Sequence, residues 1–285
     1  MNGTSFRGPL TYNGKGGPED DWFEKLPFTP NPDYFVFEDD FTGKAFDNSR
    51  RWNNFGDFNS GSGDLVESPS LGEGMAGGWI YLEGADETDA SGSSIYTNSL
   101  YQVRAGTRIW YESRVVFDGE SGDTAGECDF FVGIIPPTTL GGSGYLPWSE
   151  DTRPAVGLTL TGGSKRLYAR SVETSGPVSG DVGVQSVDTG IDIEDGYVKD
   201  GTAPLSSAIS NSYTLGFLIN GDREIDFYVN RVKRATITQN LPTFAMGPAV
   251  AFESASATGQ KRVYCDYIFS AFSRYPDGGN MTRYL

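Results

Sequence analysis

Two carboxylates, Glu224 and Asp226, stand two residues apart in a segment whose apolar residues alternate. Whether two carboxylates on one face of a strand are chemistry or a solvated surface is the main question they pose. Their segment, residues 212 to 238, reads as three consecutive antiparallel strands. Tyr213, Leu215, Phe217 and Ile219 share one face of the first, and Ile225, Phe227 and Val229 share one face of the second. Asn220, Gly221 and Asp222 supply the first turn and Asn230 with Arg231 the second, because Asn and Gly tolerate the positive φ of tight hairpins. Alternation then puts Glu224 and Asp226 on the polar face, about 7 Å apart at Cα. With Arg223 and Lys233 beside them, a solvated charged face is the simpler reading.

Other chemistry is narrowed by composition. The chain contains no histidine, which excludes Ser-His-Asp and Cys-His catalysis and any imidazole metal site. Asp118, Glu120, Asp123, Glu127 and Asp129 surround one loop, and Asp188, Asp192, Glu194 and Asp195 another. Such loops could supply the six to eight oxygens of a structural calcium, although neither has the spacing of an EF-hand. Acidic loops on an acidic protein are usually hydrated surface, so no cofactor is expected and structural calcium is the one option. Cys128 and Cys265 lie within strand patterns and are expected as small buried hydrophobes, not as a disulfide. Trp79, Tyr145, Trp110, Tyr228 and Trp148 are the aromatics available for stacking on a sugar. Alternation turns Trp110 and Tyr228 away from the apolar faces of their strands. These two, with Trp148, are the candidates for stacking on a glycan or touching a neighbouring subunit.

The elements that position these groups are strands. A chain of 285 residues with 37% hydrophobic residues and 38 glycines has the material for one large β domain. Strand patterns begin at Tyr34 and recur at 79–82, 93–101, 107–117, 127–134, 155–160, 165–171, 249–254 and 261–272, separated by Gly, Ser, Asp and Asn clusters. In the 107–117 run Ile109, Tyr111, Val115 and Phe117 share one face. Trp110, Glu112 and Arg114 share the other, where the two charges are expected to pair. No segment of ten residues has a helical period, which predicts an all-β fold of two antiparallel sheets packed face to face. Two connections, 135–154 and 172–211, are long enough to be functional or loose.

A net charge of −16 makes nucleic acid an improbable partner, and no run approaches the length of a membrane span. The N-terminus lacks the basic region and apolar run of a leader, so synthesis in the cytoplasm is expected. Residues 1–33 are rich in Gly and Pro, with Phe6, Tyr12, Trp22, Phe23 and Phe28 between them. Disordered tails are poor in aromatics, so this stretch reads as an extended arm that buries its rings on another protein or a neighbouring subunit. The expected organisation is arm 1–33, sandwich 34–272 and polar tail 273–285.

Residues 34–55 together with 107–272 resemble the concanavalin A-like lectin/glucanase superfamily. The resemblance is carried by FEDDF followed by Arg51 and Trp52, by RIWYESRVVF, by the hairpin YTLGFLIN and IDFYVNRVKRAT, and by the closing RVYCDYI. It implies a jelly-roll sandwich. Retaining β-glucanases of that superfamily use a strand of Glu, an apolar residue, Asp, and a second Glu two or three positions on. Glu224, Ile225 and Asp226 fit its start, while Tyr228 and Val229 stand where the second Glu belongs. The whole chain, including GTSFRGPLTY and the Gly-rich arm, resembles structural proteins that tailed bacteriophages encode near their capsid genes. That likeness implies a non-enzymatic virion protein of head-decoration or fibre type, anchored to the capsid or another virion protein by its arm, homo-oligomeric, with the virion as its address. The alternative is a carbohydrate-binding, lectin-like module, with hydrolysis ranked last.

Overall fold

The structure, a computed structural model, describes residues 34–41, 52–56, 70–71, 79–84, 92–118, 124–137, 154–161, 163–173, 183–196, 211–254 and 261–273. The arm 1–33, the tail beyond 273 and the loop holding Tyr145 and Trp148 lie outside them. The alternating runs fold as strands: β1 Tyr34–Asp39, β2 Asn53–Gly56, β3 Ser70–Leu71, β4 Ile80–Gly84, β5 Gly92–Tyr96, β6 Tyr101–Gln102, β7 Arg108–Phe117 and β8 Cys128–Ile135. There follow β9 Ala155–Leu160, β10 Arg166–Val172, β11 Val184–Asp192, β12 Tyr213–Asn220, β13 Glu224–Val229, β14 Val232–Ile237, β15 Ala245–Ser254 and β16 Lys261–Ser273. The described residues include no helix, and hence none that could cross a membrane.

The strands make two antiparallel sheets. The first runs β14-β13-β12-β7-β16-β4-β3 with β1 also on β16, and the second runs β11-β10-β9-β8-β15-β5-β2 with β6 also on β15. Their inner faces meet in one core. Ile109, Tyr111, Val115 and Phe117 of β7 and Leu215, Phe217 and Ile219 of β12 come from the first sheet; Phe130, Val132, Val156, Leu158 and Phe252 come from the second. Fully burying a side chain of this size stabilises by about 1.5–3 kcal/mol, and β4, β13, β14 and β16 add further buried side chains to the same core. Tyr111 stacks on Phe217 at 5.0 Å. Both cysteines are free and buried in this core, as expected. All of this makes the chain an all-β, two-sheet sandwich of the jelly-roll, concanavalin A-like kind.

The FEDDF segment and Trp52 form a structural clasp. Asp39 accepts hydrogen bonds from the indole Nε1 of Trp52 at 2.8 Å and from the amide of Phe41 at 2.9 Å, while Phe37 meets Trp52 edge-on at 5.3 Å. Two expectations need correction. The connection 172–211 contains a strand, β11, whose apolar residues do not alternate because it is an open edge and Gly190 takes φ +74°. The run 93–101 is not one strand but two, β5 and β6, which pair with different parts of β15. Between them a strap, residues 97–100, crosses β15 closely: Thr97 donates to the Pro248 carbonyl and Leu100 to that of Met246, both at 2.9 Å. Gly247 lies beneath the strap, and a Cβ there would stand 2.2 Å from Thr97 Oγ1 and 2.4 Å from the Asn98 carbonyl oxygen.

Candidate functional site

The hairpin β12–β13 forms as the sequence predicts. Gly221 sits at φ +64°, Asn230 and Arg231 at +52° and +65°, and Ile225, Phe227 and Val229 face the core. Glu224 and Asp226 fall on the outer face of the first sheet. Asp226 Oδ1 takes Lys233 Nζ at 2.6 Å and Thr236 Oγ1 at 2.7 Å, and Glu224 accepts from the Asn220 amide at 3.3 Å. Each carboxylate is therefore tied to its own hairpin partner, and both lie near the Tyr228 hydroxyl, whose pKa burial and then the charges of Asp226 and Glu224 push up to about 12.

Trp110 and Tyr228 do share that outer face, in one cluster with Tyr267, Phe269 and Ala271. They are 1% and 7% exposed, so neither offers an open ring. Glu112 lies beside them at 1% exposure, accepting from the Tyr267 hydroxyl at 2.6 Å and from Arg231 Nη2 at 3.3 Å. Arg231 reaches it across Gly216, which is in register with Glu112 on one side and Tyr228 on the other and presents no side chain. The expected Glu112–Arg114 pair is thus replaced by two cross-strand pairs, Glu112 with Arg231 and Arg114 with Asp266. Residues i and i+2 of a strand are separated by about 7 Å; Arg114 instead meets Asp266 on adjacent β16, and Arg231 reaches Glu112 from the β13–β14 turn with β12 between them. Burial raises the carboxyl pKa of Glu112, against the pull of Arg231 and Tyr267, and pushes that of Asp266 up to about 6, against the pull of Arg114.

The outer face of the second sheet is apolar and filled. Phe131 lies over the paired glycines Gly133 and Gly157, where added Cβ atoms would meet its ring at 2.8 Å and 2.5 Å. Ala155 and Thr159 flank Gly157 along β9, and all are buried. Of the acidic loops, Asp188 and Asp192 flank Arg166, and Asp195 accepts from the Ala125 amide. No group of three or more acidic, Cys or His side chains converges among the described residues.

The described cavity with the chemistry to hold a small polar ligand was not anticipated. It occupies about 420 Å³ at the end of the sandwich where β6 meets β15 and β16, within the usual size of a ligand site. The half-buried ring of Phe272 gives it an apolar wall, backed at 6.0 Å by Tyr101, whose own ring is buried. Tyr101 is fixed by its hydroxyl, which donates to Ser270 Oγ at 2.5 Å. Ser99, Gln102, Arg104 and Thr107 give it a polar rim. Ser99 Oγ donates to the Ala245 carbonyl and Gln102 Nε2 to that of Thr243. These two bonds bracket Phe244, which at 42% exposure is the most exposed aromatic among the described residues. The turn after the rim is locked by Thr107, whose amide and hydroxyl both donate to the Arg104 carbonyl. The only sequence signal for this site was the polar Thr-Asn-Ser run at 97–99, inside what read as a strand.

With this geometry in hand, comparison with known proteins bears on the fold. No family model matches the chain, and no curated protein matches it. Among solved structures it is similar to an endo-1,3-β-glucanase from Streptomyces sioyaensis, at 16% identity over 87% of this chain and 99% of that one, with a TM-score of 0.53. It is also similar to LamA from Z. galactanivorans in complex with laminaritriose and laminaritetraose, at 11% identity over 82% and 97%, with a TM-score of 0.51. At these identities the likeness is one of fold. It corrects the expectation of a non-enzymatic virion structural protein. The two solved proteins named, which share this sandwich over nearly their whole length, are a glucanase and a protein in complex with laminari-oligosaccharides, so the fold gives no ground for excluding catalysis.

Proposed function

We propose that this chain is a glycan-recognition protein, with the cavity between β6, β15 and β16 as its saccharide site. The observation that carries the proposal is the make-up of that cavity: the half-buried ring of Phe272 beside hydrogen-bonding groups whose directions are already fixed. Sugars ask for both, because their C–H faces pack on rings while their hydroxyls need oriented donors and acceptors. Ser99 and Gln102 are held by backbone carbonyls and Tyr101 by Ser270, so little side-chain entropy is lost on binding. The sandwich shared with glucan-acting proteins supports β-glucan as the first ligand class to try.

Titration calorimetry of the full chain with laminari-oligosaccharides and mixed-linkage glucan oligosaccharides tests this. Saturable binding at one site per chain is expected, weakened about 5- to 10-fold by Gln102→Ala, the loss of about one hydrogen bond. A release assay for reducing ends, run on the same samples, reports whether the bound chain is also cut. Absence of saturable binding to every soluble glucan would overturn the reading.

A further inference from the structure

Arg104, at the rim of the cavity, is an unusual arginine for so acidic a chain. The sequence holds 38 acidic residues against 22 basic ones, and three of the described arginines are engaged with carboxylates: Arg114 with Asp266, Arg166 with Asp188 and Asp192, and Arg231 with Glu112. Arg104 instead donates from Nε at 3.2 Å and from Nη2 at 2.9 Å to one neutral acceptor, Gln102 Oε1. It has no carboxylate within ion-pair distance among the described residues. The Gln102 amide is itself anchored through Nε2 on the Thr243 carbonyl at 2.9 Å. The guanidinium plane is therefore held along its Nε edge by a chain of hydrogen bonds ending on the backbone. Of five N–H donors, the Nη1–Nη2 edge remains, which is the edge that matches two oxygens of an anion.

The backbone beneath is equally fixed. Thr107 Oγ1 accepts from the Arg104 amide and donates to its carbonyl. The β12–β13 turn packs against this one, with Gly221 donating to the Thr107 carbonyl at 2.7 Å. Charged neighbours at this corner are Arg108 on the same segment and Asp222 with Arg223 on the packed turn, and the cavity lining includes no carboxylate. An arginine oriented by an amide, not neutralised by an acid, presents its whole charge to whatever enters.

We propose that the Arg104 edge of the cavity selects saccharides bearing an anionic substituent, a carboxylate or a sulfate ester, over their neutral counterparts. The inference rests on the glycan reading and names the class of sugar within it. The chain's net negative charge repels such ligands at long range, but screening confines that effect to within about 8 Å at physiological salt. It also acts nearly alike on the wild type and an Arg104 variant, so a ratio of affinities isolates the guanidinium.

The test is calorimetry of the full chain with three matched ligands: laminaritetraose, its C6-oxidised glucuronate form and its sulfated form. The wild type is expected to bind at least one anionic form about 10-fold more tightly than the neutral one, as a charge-assisted bond implies. A carboxylate preference identifies uronates, and a sulfate preference identifies sulfate esters. Arg104→Gln should bring the ratio to about one. Arg104→Lys, which keeps the charge and loses the two-pronged edge, should leave an intermediate ratio. Arg104 is exposed, so both variants should retain the wild-type thermal transition. Equal affinity for neutral and anionic forms, or a preference that survives Arg104→Gln, would overturn the inference while leaving the glycan reading intact. Failure of all three ligands to bind would defeat both.

Discussion

Arg231 shows how much a single side chain is asked to do. It occupies the left-handed region at φ +65°, where a side chain costs about 1–2 kcal/mol, and it supplies the guanidinium that faces buried Glu112. Replacement by Ala should destabilise by about 3 kcal/mol, because a buried carboxyl loses its charged partner. Replacement by Gly should cost about 1 kcal/mol less, since the backbone strain disappears with the side chain; urea denaturation of the two variants reads the difference, and equal losses would rule out strain. Asp266 carries a pH signature. Its folded pKa of about 6 stands above an unfolded value of about 3.9, so the folded state holds a proton that the unfolded chain releases. The contribution of Asp266 is most favourable below about pH 4 and declines as pH rises to about 6. The stability of the wild type relative to Asp266→Asn should therefore fall across that window, and a flat difference would show that the carboxyl titrates normally.

At the scale of elements, the tightest requirement is the glycine pair of β8 and β9. Gly133 and Gly157 face each other in register, and a Cβ on Gly157 would stand 2.3 Å from the Val132 carbonyl oxygen and 2.5 Å from the Phe131 ring. A carbonyl within the ladder cannot step aside, so Gly157→Ala should cost at least about 1–3 kcal/mol, the usual penalty of overpacking; a thermal midpoint within a degree of the wild type would refute this. The strands were legible where alternation was strong. Tyr213 to Ile237 announced its two turns through Gly221, Asn230 and Arg231, which take positive φ as expected, while Asn220, expected in the first turn, ends β12 instead. Legibility failed where tertiary context overrode local pattern. β11 was missed because an open edge does not require alternating apolar residues, and the β5–β6 break because Gly247 makes room for a strap that the sequence around Thr97 barely marks. Alternation correctly turned Trp110, Glu112 and Tyr228 outward, but it carries no information on burial or on partners. Hence neither the Glu112–Arg231 pair nor the closed state of the two rings could be read in advance. Gln102 and Arg104 drew no attention for a related reason: their importance lies in a cavity wall assembled from Ala245 and Phe272, more than 140 residues away.

For the whole molecule, the described sandwich sets two largely buried outer faces beside an open cavity at one end. The outer faces of both sheets carry buried aromatic side chains, Trp110 and Tyr228 on one and Phe131 on the other. The cavity beside β6 combines oriented polar groups with the half-buried ring of Phe272 and remains accessible through exposed Ser99 and Arg104. The most direct measurement of the central claim is a map of backbone amide shifts, by NMR on the isotope-labelled full chain, as a laminari-oligosaccharide is added. The account predicts perturbations centred on Ser99 to Thr107 and on Thr243 to Ala245, saturating with one affinity. Perturbations confined to the outer faces of the sheets, or none at all, would contradict it.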